Sequence, residues 1–404
     1  KNNITGYFMQ IGIDDFDEIN GRFGLKCGDE ILKQFSMCMQ SCINENQKIY
    51  ELGNGRFIIM DLANHSKEDI LELYDELKKS VEVALEENVY RVVYTISVGI
   101  VEIDKEMKDY DTLIKYSDFA LNEAKKKGKN SCYFFTQDKY KQFIRRREIR
   151  VELQNAVDHN FKNFDVYYQP IIDIHTRNLI GAEALMRFKM KRNEQIEFIS
   201  PAEFIPILEE SGLIIPAGRW ILRQAVACCK KWQEFIPEFK VNVNLSYVQI
   251  IKSKILDEIK QALKDFNLKP ALLGIEVTES GYLENTYHYK KLWSSLKEEG
   301  ITLILDDYGT GYSNAYRLSD LTPHYIKIDR VLTQKALSSN YERSILIYII
   351  EMAHSLKLNV CIEGVETEEE LQEIKKLNPD YIQGYLFGKP APEDEFYNRQ
   401  IKKK

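Results

Sequence analysis

Glu183, Asn244, Glu276, Asp306 and Glu363 each end a short apolar run, and Asp307 follows Asp306 directly. Oxygen donors of this kind, without a His or Cys cluster beside them, suit Mg²⁺ or Mn²⁺ rather than zinc. Six His occur in the chain, and His159, His175, His288, His324 and His354 fall in helical or loop contexts that read as surface or packing positions. A Ser-His-Asp triad has no support, because Ser246 and Ser280 lack a His at another strand end. Read alone, Asp306-Asp307 is equally a strand cap that opens a turn. Neighbouring side chains on a strand point to opposite faces, so both acids reach one site only where the strand breaks into loop. Ile301-Thr-Leu-Ile-Leu-Asp-Asp-Tyr-Gly-Thr-Gly311 provides that break, with glycines at 309 and 311.

The elements that must position these groups are eight strands, ending at or near Gln169, Glu183, Asn244, Glu276, Asp306, Lys327, Glu363 and Gln383. Strand and helix alternate over about 250 residues, which predicts a (β/α)₈ barrel with its site at the C-terminal strand ends. Asp173 to Asn178 is too short for a parallel crossover, so the first two strands are expected to pair antiparallel.

Ahead of the barrel, residues 1–137 predict a strand over Tyr7–Ile13, a helix opening at Gly28-Asp29-Glu30, and a hairpin around Gly53-Asn54-Gly55. A helix through Ile70 to Leu77, a strand over Tyr90–Ile100, a helix over Thr112–Lys127 and a strand over Cys132–Phe135 follow. The order is a ferredoxin-like β-α-β-β-α-β with an added α-β, an α+β sheet under helices. Residues 138–150 carry a basic run without Pro or Gly and read as a connecting helix, which leaves 151–404 for the barrel.

At 404 residues, 44% hydrophobic and 29% charged, the chain is long enough for two or three globular domains. No run of 18 apolar residues is present, so no membrane contact is expected from this stretch. Seven Cys without a Cys-x-x-Cys pair suggest reduced thiols and a cytoplasmic location. A net charge of -7 disfavours a nucleic acid polymer as partner, while a small anion held by local cations and metals is compatible with it. The chain begins at Lys1 and enters a strand almost at once. It therefore reads as a fragment whose parent carries a sensor or membrane anchor upstream.

Two family resemblances emerge from motifs in these segments. The barrel segment resembles an EAL domain, a cyclic-di-GMP phosphodiesterase, through Tyr168-Gln-Pro-Ile171, Glu183-Ala-Leu-Met-Arg187, Pro201-Ala-Glu-Phe-Ile-Pro206, Asn244-Leu-Ser246, Glu276-Val-Thr-Glu279, Asp306-Asp-Tyr-Gly-Thr-Gly-Tyr-Ser313, Ile326-Lys-Ile-Asp329, Glu363-Gly-Val-Glu366 and Gln383-Gly-Tyr385. The resemblance implies that Glu183, Asn244, Glu276 and Asp306 hold one metal, and that Asp306, Asp307 and Glu363 hold a second. It implies Glu363 as the base for the attacking water and Lys327 as a cation that positions that water or offsets developing charge. Arg187 would pair with a phosphate, Gln169, Gln383 and Glu366 would meet the nucleotide, and Glu279 would steady the loop after Asp307. A homodimer through the barrel is implied as well. Tyr308, Asn314, Ala315 and Arg317 depart from the family pattern and bear on loop packing, but none removes a ligand.

The first segment resembles a GGDEF domain, the fold of diguanylate cyclases, with its signature at the hairpin as Gly53-Asn-Gly-Arg-Phe57. Gly55 and Arg56 stand where that family has acids, and Gly12 replaces a third, so cyclase chemistry is expected to be absent. The Arg-x-x-Asp inhibitory pair is missing too, with Asn44 and Gln47 in its place. Asn20 and Asp29 match the family's guanine-reading pair, and Lys125 and Lys129 its phosphate-contacting cations. Two readings stay open for this segment: a regulatory GTP-binding domain in which Arg56 partly replaces the lost metal charge, or a relic that only packs and dimerises.

The whole chain is then expected to hydrolyse cyclic-di-GMP to linear pGpG at a two-metal site. The alternatives are a silent cyclic-di-GMP receptor and a Mg²⁺-dependent barrel enzyme for some other phosphate or sugar.

Overall fold

Eight consecutive buried residues, Gly6–Ile13, form strand β1 at the centre of the first sheet. The computed structural model describes residues 6–63, 65–86, 92–103, 109–192, 194–278, 286–309 and 322–402, and the chain divides into the units Lys1–Arg145 and Arg146–Lys404. In the first unit the sheet order is β2-β3-β1-β4-β5, with β2 at Gln47–Gly53, β3 at Arg56–Asp61, β4 at Ile96–Ile103 and β5 at Cys132–Phe134. Successive side chains leave opposite faces of a strand. Tyr7, Met9 and Ile11 accordingly join one core, with helices α2 (Leu25–Cys42) and α3 (Lys67–Glu86), following a short α1 (Phe16–Phe23). Phe8 joins another, against α4 (Tyr110–Lys126).

Three sequence expectations need correction in this unit. Helix α1 was not foreseen, and α2 begins at Leu25 rather than Gly28. Strand β4 begins at Ile96 rather than Tyr90 and continues to Ile103. Its partner β1 ends at Ile13, which pairs with Ile96, so Val92–Thr95 have no ladder to join. Tyr90 and Arg91 lie outside the described residues.

Helix α5 spans Gln137–Asp158. In the second unit, β6 (Phe164–Asp173), β7 (Leu179–Arg192), β9 (Lys240–Asn244), β10 (Leu273–Thr278), β11 (Thr302–Tyr308), β12 (Tyr325–Ile328), β13 (Asn359–Glu363) and β14 (Tyr381–Gln383) close into an eight-stranded barrel. As expected, β6 pairs antiparallel with β7, and it closes antiparallel on β14, while the other neighbours run parallel. Two short strands were missed. β8 (Gln195–Ile199) extends β7 into a hairpin whose alternation is masked by charged residues, and β15 (Ala391–Pro392) pairs with β6.

The outer layer holds α6 (Pro201–Ser211), α7 (Ile214–Trp232), α8 (Tyr247–Lys252), α9 (Ile255–Phe266), α10 (Thr286–Glu298), α11 (Arg330–Ser338), α12 (Asn340–Ser355) and α13 (Glu368–Lys375). Leu303 and Leu305 of β11 belong to the large core that includes helix residues such as Trp232, Ile259 and Leu346. Ile304 between them belongs to a separate cluster with Ile171, Tyr325 and Cys361. That cluster fills the barrel lumen, and the residue two positions further along each parallel strand lies at its C-terminal mouth. Among the described residues, no helix is long and apolar enough to cross a membrane.

Candidate functional site

Parallel register sets the acids side by side, since Glu276 of β10 stands opposite Asn244 of β9 and Glu363 of β13 opposite Gln383 of β14. The turns that follow are held by caps. Ser246 and Gln249 make a capping box on α8, Asp329 accepts the Val331 N–H at the start of α11, and Thr367 with Glu370 makes a capping box on α13. Each cap satisfies helix donors that would otherwise be orphaned. The side chains just ahead of them therefore sit on a fixed backbone.

Lys327, 1% exposed, is the hub of the site. Its Nζ lies 2.7 Å from Glu363 Oε1, 2.8 Å from Glu183 Oε2, 3.1 Å from Glu276 Oε2 and 3.4 Å from Asp306 Oδ1. Asn244 Nδ2 donates to Glu183 Oε1 at 2.7 Å, and Gln383 Nε2 donates to Glu183 Oε2 at 2.7 Å and to Gln169 Oε1 at 3.2 Å. One ammonium thus faces three buried carboxylates and the half-buried Glu363, with Asp307 beside them. Ligand oxygens of Glu183, Glu276 and Asp306 lie within 4.8 Å of one another, as do those of Asp306, Asp307 and Glu363.

Burial and mutual repulsion govern protonation here. Burial, with the neighbouring negative charges, pushes the Glu363 carboxyl up to about 8 even against the Lys327 charge. Burial and then the Asp306 charge push Asp307 up to about 6. Glu276 is raised by burial and by Glu183. Burial also works to raise Glu183, but the Lys327 charge and hydrogen bonds from Lys327, Gln383 and Asn244 outweigh it, leaving this carboxyl below its usual range. Lys327 is held protonated by the four acids despite its own burial.

The residues present fit hard divalent cations. All the donors are oxygens, negative charge exceeds positive charge around the hub, and Asp306 Oδ1 is buried without a hydrogen bond. The shared Asp306 would sit between two such ions.

Backbone geometry explains how adjacent acids meet. Asp307 has φ 56°, the left-handed region, at a register irregularity between Leu305 and Tyr308 in the pairing of β11 with β12. Gly309 follows at φ 100°, where an added Cβ would stand 2.7 Å from Leu332 Cδ2. Glu279 lies outside the described residues, as do Gly311, Ser313, Asn314, Ala315 and Arg317.

Two cavities open on this end. One of about 260 Å³ is lined by Gln169, Glu183, Asp306, Lys327, Glu363, Glu366 and Gln383. The other, about 600 Å³, is lined by Arg187, Asn244, Ser246, Asp307 and apolar side chains of α6 and α7. Arg187, whose guanidinium stands 5.6 Å from the Tyr167 ring centre, therefore faces the second cavity rather than the hub. Sequence reading missed three contributors. Arg330, three residues after Lys327, pairs with Glu366 at 2.7 Å and lines the smaller cavity. Tyr385 lines the same cavity. Asn242, two residues before Asn244 and so on the same strand face, donates to Glu276 Oε1 at 2.8 Å; that spacing was the available signal.

In the first unit two cations, Lys125 and Arg56, stand beside Gly12. An added Cβ on Gly12 would lie 3.2 Å from Lys125 Nζ, and Gly12 pairs across strands with Arg56. Arg56 lies 3.5 Å from Asp118, and Lys129 is paired with Asp15 at 2.7 Å. Asn20 Oδ1 is buried without a hydrogen bond, and Asp29 is exposed. Gly55 has φ 70°, and an added Cβ there would meet the Phe16 ring at 2.7 Å.

Comparison with known proteins agrees with this geometry. Residues 150–390 match the family model described as EAL domain, and residues 1–131 match that of the diguanylate cyclase, GGDEF domain. The signaling protein YkoW of Bacillus subtilis is 31% identical over 98% of this chain and 48% of its own length. The cyclic di-GMP phosphodiesterase PdeR of Escherichia coli is 28% identical over 100% of this chain and 60% of its own. The chain spans about half the length of the curated relatives it matches. Among solved structures, the PaMucR phosphodiesterase in complex with c-di-GMP is 29% identical with a TM-score of 0.58, over 62% of this chain and 99% of that one. The FimX EAL domain from Pseudomonas aeruginosa bound to c-di-GMP is 25% identical with a TM-score of 0.54, over 60% and 96%.

Proposed function

The chain belongs to the EAL domain family, and on that premise we propose that it hydrolyses cyclic-di-GMP to linear pGpG with Mg²⁺ or Mn²⁺. The observation that carries this reading is the ring of carboxylates around Lys327, whose oxygens lie within 4.8 Å of one another in two groups sharing Asp306. Glu183, Asn244, Glu276 and Asp306 would hold one cation, and Asp306, Asp307 and Glu363 the other. Bound there, divalent cations make water more acidic and offset charge on phosphate oxygens.

Glu363 accepts a proton from the attacking water as the water oxygen bonds to phosphorus, and the P–O3′ bond breaks to leave a 5′-phosphate and, with a proton taken up by O3′ from solvent, a 3′-hydroxyl. For that role Glu363 must be ionised, against the burial and the neighbouring negative charges that push its carboxyl up to about 8. Lys327 Nζ, 2.7 Å from Glu363, fixes that carboxylate and lends positive charge as the phosphorane forms. Arg187 pairs with a phosphate from the larger cavity, and Gln169, Gln383 and Glu366 bound the smaller one.

Residues 1–137 serve as a regulatory GGDEF domain that does not cyclise, residues 138–150 as the linker helix, and 151–404 as the phosphodiesterase. Gly12, Gly55 and Arg56 support the loss of synthesis. Asn20, Asp29, Lys125 and Lys129, with Arg56, are the groups offered to GTP. The protein works in the cytoplasm as a homodimer through the EAL domain.

One observation favours a silent receptor instead. Lys327 Nζ lies within 3.4 Å of four of the carboxylates. Incubation with cyclic-di-GMP and Mn²⁺, with and without chelator, separates the two. Metal-dependent linear product supports hydrolysis, and Glu183→Ala or Glu363→Ala is then expected to lower turnover about a hundredfold or more. Tight binding without product makes the protein a receptor.

A further inference from the structure

We propose that the N-terminal mouth of the barrel, opposite the carboxylate cluster, binds a small phosphorylated molecule with an aromatic body, of the mononucleotide class. This inference stands apart from the reaction proposed above. A cavity of about 450 Å³ opens there and shares no lining residue with either cavity of the carboxylate end. That volume is in the range that holds small ligands.

The cavity arises from the same strand periodicity that builds the other mouth. Gly181, Asn242, Tyr325 and Tyr381 line it, each two residues before Glu183, Asn244, Lys327 and Gln383 on the same strand face. Gly181 and Thr302 are small, so space remains below the lumen cluster of Ile171, Ile304, Tyr325 and Cys361. The walls combine aliphatic side chains with the Tyr325 and Tyr381 rings, whose centres lie 5.7 Å apart.

Its charge is opposite to that of the chain as a whole. Lys240, Lys297 and Lys357 line it, beside the His324 ring, and no carboxylate does, in a chain of net charge -7. Among the described residues none of these three lysines has a carboxylate oxygen within 4.0 Å, and Lys297 Nζ donates to Thr322 Oγ1 at 3.1 Å. The acids nearest the Tyr381 side of the pocket are already engaged. Asp380 Oδ2 lies 3.0 Å from His354 Nε2 and accepts the Val360 N–H at 2.7 Å, and Asp173 Oδ1 accepts from Thr176 at 2.7 Å. Three ammonium groups without a carboxylate partner, over a half-apolar pocket, are the complement of a phosphate ester carrying a ring. At the floor, Asn242 Nδ2 lies 2.5 Å from Tyr325 Oη as well as donating to Glu276, so one amide links the two ends of the lumen.

The test is an NMR titration of the full chain in chelator, following histidine ring protons, with inorganic phosphate, guanosine and GMP as probes. Loss of one signal in His324→Asn assigns that ring. GMP is expected to move the His324 signal and to bind at least about tenfold more tightly than phosphate or guanosine. The Lys240→Gln, Lys297→Gln, Lys357→Gln triple variant should lose at least about tenfold in affinity, and Lys297→Gln alone, at an exposed helix end, should show part of that loss in a chain that folds normally. An unmoved His324 signal at millimolar GMP, or equal affinity in the lysine variants, overturns the site. GMP binding no tighter than inorganic phosphate overturns its assignment to a mononucleotide.

Discussion

Asp306 and Asp307 reach a single cluster because Asp307 alone takes the left-handed φ of 56° while β11 runs on to Tyr308. On a regular strand their carboxylates would leave opposite faces. Asn tolerates this backbone region better than other non-glycine residues and removes only the charge. Asp307→Asn should therefore keep the urea midpoint of the parent and lose turnover by about a hundredfold. Asp307→Val should lose stability as well, by about 1 to 3 kcal/mol. Equal midpoints for the two variants would show that the backbone at 307 carries no strain.

Lys327 sets the balance of the metal-free site. With one ammonium against three buried carboxylates and the half-buried Glu363, Lys327→Met in chelator should cost about 3 to 5 kcal/mol in denaturant unfolding, because uncompensated charge stays buried. Mn²⁺ at a hundredfold its dissociation constant should add about 2.7 kcal/mol to the parent. It should recover part of the loss in Lys327→Met and do nothing for Asp306→Asn. Melting curves indifferent to Mn²⁺ would argue against cation binding at the cluster.

His324 ties stability to pH. Burial first, then the charges of Lys297 and Lys240, hold its imidazole below 6.5, and Nδ1 accepts the Leu303 N–H at 2.9 Å, which needs an unprotonated nitrogen. The folded value is depressed, so just below 6.5 the unfolded chain binds more protons than the folded one. The contribution is complete above 6.5 and is lost as pH falls through the folded value. Urea midpoints between about pH 7.5 and pH 5 should fall more steeply for the parent than for His324→Asn. A parallel fall in both would remove this role.

In the first unit, Arg56 and Lys125 stand around Gly12 where carboxylates would otherwise gather metal. Arg56→Ala should weaken GTP, measured by calorimetry, about tenfold, the scale of one charge-assisted hydrogen bond. Restoring an acid with Gly55→Asp should not yield cyclic dinucleotide, since φ is 70° and the Phe16 ring occupies the space of a Cβ. GTP affinity unchanged by Arg56→Ala would favour the relic.

Legibility followed the physics of each feature. The barrel strands were readable because a strand buried on both faces is a short apolar run, as in Leu303-Ile-Leu305. The β7–β8 hairpin was not, because Lys189, Lys191 and Arg192 stand among its apolar residues. The early start assigned to β4 failed for a different reason. Val92 and Tyr94 are buried with Val93 exposed, the alternation of a strand, yet β1 has no residue left to pair with them.

Residue types at strand ends determined, without coordinates, that oxygen donors would gather at one mouth of a barrel, because side-chain direction along a strand has period two. That the first unit carries Gly12, Gly55 and Arg56 was equally plain. Only the tertiary structure decided that Lys327 lies among four carboxylates, that Arg187 faces a different cavity, and that a basic pocket lined by no carboxylate opens at the far mouth. Those facts depend on distances between strands remote in sequence, and closure of the barrel is what sets them.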